Sequence, residues 1–151
     1  MQGDEQAQGS QLGEEGSTLL ASLPVRVARR YQEVLLVQGL SPTACAILIG
    51  STLEAICAQE QVAGGTLPEK LTILAQRRHL PPMLLDLAQH LRYLRNIGSH
   101  EAEEDILPED IPAMLAALQA LLDYLYVLPL RLKALERRLQ QHMVGKKQRA
   151  E

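Results

Sequence analysis

The sequence contains no tryptophan and no phenylalanine, and four tyrosines account for its whole aromatic content of 3%. Its core must therefore be aliphatic, built from Leu, Ile, Val and Ala. Cysteine is nearly missing too. Cys45 and Cys57 are the two present, and both fall inside one expected helix. Twelve residues of helix span about 18 Å, too far for a disulfide. They read as reduced core thiols, which is the cysteine usage of a cytoplasmic protein. No Cys/His set has zinc spacing, so no metal or cofactor is expected. There is no glycine-rich phosphate loop, and Gly64-Gly65 reads as a turn between helices. No apolar run approaches the roughly 18 residues that cross a bilayer. The opening Met1-Gln2-Gly3-Asp4-Glu5 has neither the basic nor the apolar region of a signal peptide. No stretch alternates in the strand pattern.

What is present is 151 residues, 46% of them apolar, enough for one domain with a real core. The net charge of −3 is unevenly spread. Residues 1–23 carry four acids and no base, residues 101–110 carry six acids, and residues 131–151 carry seven bases against two acids. An acidic chain is not built to bind nucleic acid over its whole surface. Its basic C-terminus can still meet phosphate or an acidic neighbour.

Apolar residues at three-and-four spacing predict an all-α fold: an antiparallel bundle of four to five helices plus a C-terminal helix. Residues 1–22, rich in Gln, Gly, Glu and Ser, read as a disordered tail. Residues 23–143 form the helical domain and 144–151 a basic tail. The first helix runs from Leu23 to Gln38, with Arg26, Arg29 and Arg30 on a solvated face. The second opens at Ser41-Pro42, an N-cap followed by proline in the first turn. It runs to about Ala63 and is apolar nearly all round, with Glu54 its one inner charge. A third covers Thr66 to about Leu80. The fourth starts at Pro82, with Leu84, Leu87, Ala88, Leu91, Leu94 and Gly98 as its core stripe. The fifth opens at Pro108-Glu109-Asp110, acids at its positive end, and is kinked or ended by Pro129. The last spans Leu130 to about Met143.

The end of the fourth helix holds the densest set of groups that could do chemistry. Arg92, Arg95, Asn96 and Ser99 follow the margin of the apolar stripe. Gly98 allows the helix to close, and His100 sits just past that end. A histidine titrates near neutrality and can take and give a proton. An arginine can grip a phosphate through two bonds and offset its charge, and an asparagine can orient either group. RNA brings its own nucleophile, the 2′-hydroxyl, so cleavage there needs no metal. A second Arg-to-His spacing, Arg137 to His142, lacks the asparagine and lies on an exposed terminal helix.

Arg95-Asn96…His100 resembles the R-N-x-x-x-H signature of the HEPN superfamily, small all-α domains that are usually dimeric. A closer resemblance is to DUF4145, a family grouped with HEPN. Its recurrent block R-x-x-G-N-x-x-A-H matches Arg92, Asn96 and His100. The helix before it carries an LE-x-I pattern, here Leu53-Glu54-Ala55-Ile56. The helix after it ends in a Tyr-rich segment and proline, here Tyr124-Leu125-Tyr126-Val127-Leu128-Pro129. The likeness covers roughly residues 40–130. Arg95 stands where DUF4145 has glycine, which brings the motif closer to the nuclease type. Ser99 stands where DUF4145 has alanine. Ala102 stands where some HEPN toxins have the tyrosine that accepts AMP, which argues against regulation by that route. The acidic run Glu101-Ala102-Glu103-Glu104-Asp105 would repel RNA near the motif.

The resemblance implies a HEPN-like domain of a prokaryotic stress or phage-defence system, forming a homodimer. It implies a metal-independent endoribonuclease in which His100 is the acid and base, Arg92 and Arg95 hold phosphate, and Asn96 orients. The other reading is a non-enzymatic interaction module bound to a partner protein, an antitoxin or defence-system subunit. There Arg92, Asn96 and His100 form a structural cluster with Glu54, supported by Gly98 and Ser99.

Overall fold

A computed structural model describes residues 18–99 and 106–150, with side chains throughout except at 93–99. Six helices carry the fold: α1 (Val25–Val37), α2 (Pro42–Gln59), α3 (Leu67–Arg78), α4 (Pro82–Ser99), α5 (Ile111–Leu122) and α6 (Leu128–Ala150). No strand occurs among the described residues. The expected all-α bundle is the architecture found.

Helix α2 is its centre. Its N-terminus is fixed by Ser41, whose Oγ accepts the Ala44 amide at 3.2 Å, with Pro42 in the first turn where its missing N–H costs nothing. Helices α1, α3, α4 and α5 all pack on α2, which explains why its buried residues, Cys45, Ile49, Leu53 and Ile56 among them, occur on every side. Thr52 is the buried polar residue here, and its Oγ1 donates to the Leu48 carbonyl at 2.8 Å, so no hydroxyl is left unpaired. The helix stops at Gln59, short of the expected Ala63, because Gln61 turns left-handed with φ 57°. Gly64 and Gly65, φ 77° and 72°, then take the backbone through a turn that favours glycine. The Thr66 amide donates to Glu69 Oε2 at 2.8 Å, starting α3 one residue later than expected.

Helix α1 buries Val27, Tyr31 and Val34. Tyr31 accepts a hydrogen bond from Gln119 Nε2 at 2.8 Å, tying α1 to α5. Helix α4 buries Ala88 and Leu91 and packs Leu84 and Leu85 on the core. It runs through Gly98 to Ser99, and His100, expected just past its end, lies outside the described residues. A 3₁₀ turn, Pro108–Asp110, leads into α5, with the Leu107 amide donating to Asp110 Oδ2 at 3.0 Å.

Of the two expectations for Pro129, a kink or an end, the end does not occur. A π turn, Asp123–Val127, joins α5 directly to α6, and helix continues to Ala150. The expected tail at 144–151 is therefore helical up to residue 150. At the other end, residues 18–22 form a helical turn that composition had assigned to the tail, and residues 1–17 lie outside the described residues.

Two helical stretches, Pro42–Gln59 and Pro108–Ala150, are by length and composition long and apolar enough to cross a membrane. The expectation that none would be is corrected here. The most apolar windows of the two are 50% and 44% buried inside the bundle, which is how a core helix of a folded domain also looks.

Candidate functional site

The motif read from the sequence lies on the last turns of α4. Arg92, Arg95, Asn96, Gly98 and Ser99 belong to one unbroken helix. The side chains of Arg95, Asn96 and Ser99, and all of His100, lie outside the described residues. Arg92 is half-buried, and its Nε is buried without a hydrogen-bond partner among the described residues. A guanidinium N–H out of water with no acceptor costs on the order of 1–3 kcal/mol. One turn earlier on the same helix, Gln89 Nε2 donates to the Pro68 carbonyl at 3.2 Å. This bond places that part of α4 against the first turn of α3.

The next residues of α3 lead to a second cluster. Lys70 Nζ meets Glu54 Oε2 at 3.1 Å, joining α3 to α2, with the two side chains 23% and 37% exposed. Glu54 reads from the sequence as a solvent-edge residue or as a carboxylate facing Arg92 or Arg95; its side chain is 37% exposed and Lys70 is one cation brought to it. Beside this pair opens a cleft of about 1000 Å³, lined by Arg26, Arg29 and Arg30 from α1, by Ser51 and Glu54 from α2, and by Lys70. Arg30 is paired with Glu33 at 3.0 Å. Arg26 and Arg29 are exposed and have no ion-pair partner among the described residues. The spacing of Arg26, Arg29 and Arg30 puts them on one side of α1. In the sequence they read as a solvated face, because nothing local shows that this face borders Lys70. With Arg30 held by Glu33 and Lys70 by Glu54, Arg26 and Arg29 leave the cleft with an excess of positive charge, a place for an anion.

A third polar group sits where α3 meets the π turn. Arg78 Nη1 donates to Glu60 Oε1 at 2.7 Å and Nη2 to the Leu125 carbonyl at 2.6 Å. Tyr124 donates its hydroxyl to the His79 carbonyl at 2.8 Å. The Tyr126 hydroxyl is buried beside Glu60. Burial, and then the negative charge of Glu60, push its ionisation far above the usual tyrosine range. These residues hold the junction between α3 and the π turn.

The thiols are poor nucleophiles. Cys45 and Cys57 are free and buried. Burial raises both, and Cys57, with the charge of Glu54 adding to the effect of burial, is pushed up to about 11, so neither forms thiolate near neutrality. Among the described residues, no group of three or more His, Cys, Asp or Glu is placed to hold a metal ion.

The chain matches the family model described as "Domain of unknown function (DUF4145)" over residues 32–141. That span runs from α1 into α6 and contains the whole motif. No curated protein and no solved structure matches it significantly. The chain belongs to the DUF4145 family.

Proposed function

We propose, with membership of the DUF4145 family as the premise, that this is a HEPN-like domain that binds RNA and cleaves it without a metal. The observation that carries this reading is the cationic cleft between α1, α2 and α3, where Arg26 and Arg29 have no carboxylate partner among the described residues. A phosphate backbone supplies the anion that such a groove lacks. Arg92 adds a half-buried guanidinium whose Nε has no acceptor among the described residues, on the helix that passes the start of α3.

The chemistry follows from the residue types. His100 takes the proton of the ribose 2′-hydroxyl, and the freed oxygen attacks the adjacent phosphorus. The 5′-oxygen leaves with a proton, and a cyclic 2′,3′-phosphate remains. Arg92 and Arg95 hold the phosphate oxygens as charge builds on them, and Asn96 orients the imidazole or the phosphate. The protein acts in the cytoplasm, as a homodimer, in a prokaryotic stress or phage-defence system with an antitoxin or defence-system subunit as partner.

A second reading is supported by a different observation. Helix α6 presents exposed leucines from Leu128 to Leu139, along its first half, the surface of an accessory module that acts by binding protein. There the motif on α4 is structural and no RNA is cut.

The test is incubation of the full chain with a mixed RNA pool in EDTA, beside His100→Ala and Arg95→Ala. Cleavage by the wild type that both variants lose, with their helicity intact, supports the nuclease. Absence of cleavage together with absence of RNA binding leaves the accessory module.

A further inference from the structure

Among the described residues, helix α6 makes its substantial contacts with the π turn that precedes it, and residues 131–150 are all exposed. Its 23 residues extend about 34 Å. Leu128, Leu132, Leu135 and Leu139 are 39%, 50%, 43% and 54% exposed. They fall four, three and four residues apart, the spacing of a coiled-coil seam. Leu130 and Val144 lie off this seam, and Met143 is at its edge. Four leucines in a row on a solvated helix form an apolar ridge that a monomer has no reason to display. The helix is already formed as a continuation of α5, so a partner does not have to nucleate it.

The charges beside the seam select the partner. Arg131 and Arg138 lie on one flank and Glu136 on the other. With Leu132 and Leu139 at position a and Leu128 and Leu135 at position d, Arg131 takes position g and Glu136 the e position of the next heptad. In a parallel pair of identical helices these two positions face each other. Arg131 of each copy then meets Glu136 of the other, giving two ion pairs from one sequence. In an antiparallel pair g faces g, so Arg131 comes up against Arg138 and both pairs are lost. We infer that the occupant of this ridge is a second copy of the same chain, and that the two α6 helices form a short parallel coiled coil. It supplies a surface for the homodimer proposed above and does not depend on RNA cleavage, so its failure leaves the RNA reading standing.

The full chain, without RNA, is examined by sedimentation equilibrium across a concentration series. The expected result is a monomer–dimer equilibrium that Leu132→Glu/Leu139→Glu shifts to monomer. Both sites are on the surface, so circular dichroism should show the helicity unchanged. Glu136→Arg is expected to weaken the dimer roughly fivefold, since two attractive pairs become repulsive. Arg131→Glu should do the same, and mixing these two variants should restore association, because the heterodimer regains both pairs. A wild type that stays monomeric, a dimer that survives Leu132→Glu/Leu139→Glu, or two single variants that fail to associate on mixing would each overturn the proposal.

Discussion

Arg78 donates to the carbonyl of Leu125 at 2.6 Å, and Leu125 lies four residues ahead of Pro129. In an α-helix that carbonyl would accept the N–H of residue 129, which proline lacks. Arg78 on α3 supplies a donor in its place. The π turn widens the helix where the proline ring would otherwise crowd the carbonyl. The helix therefore survives a residue that normally stops one, and α6 is carried outward from the bundle.

Removing Arg78 should be costly. Arg78→Ala leaves Glu60, 18% exposed, without its partner and the Leu125 carbonyl without its donor. A loss of about 2–3 kcal/mol is expected in urea unfolding. In a Pro129→Ala background the helix has its own N–H to offer, so the same substitution should cost about 1 kcal/mol less. Equal costs in the two backgrounds would contradict the compensation.

Stability should fall in alkali. The Cys57 thiol, ordinarily near 9, is pushed up to about 11 in the fold, and Tyr31 is raised from 10 by burial. Both unfolded groups give up protons before the folded ones do. The folded state thus holds more protons above pH 9, and its stability declines as pH rises through the folded values. Thermal melts from pH 8 to 11 should show the decline, and Cys57→Ala should flatten it between about 9 and 11. An identical slope in that variant would remove Cys57 from the explanation.

RNA affinity should depend on the cleft. Arg26→Glu/Arg29→Glu changes two exposed residues and leaves the core intact. The salt dependence of binding should lose about two phosphate contacts, with affinity down at least about tenfold at fixed salt. Unchanged affinity would move the RNA elsewhere.

The bundle was readable because its signals are local. Ser41-Pro42 marks a helix start by cap chemistry, and the spacing of Leu118, Leu121, Leu122 and Leu125 marks a buried face. What the sequence could not show depends on partners far along the chain. Pro129 reads as a stop unless Arg78, far away in sequence, is known to reach it. Arg26, Arg29 and Arg30 read as a solvated face until Lys70 and Glu54 are seen across a cleft. Glu54 was singled out as an inner charge, but no spacing rule links it to Lys70. The motif residues were found by type and order, and of their side chains the described structure includes only Arg92.

The central claim is that this domain acts on RNA through Arg92, Arg95, Asn96 and His100. Its most direct test is cleavage of a mixed RNA pool by the purified chain in EDTA, with His100→Ala and Arg95→Ala alongside. The account predicts products ending in a cyclic 2′,3′-phosphate from the wild type and none from either helical variant. Intact RNA in every lane, or equal cleavage by all three proteins, would contradict it.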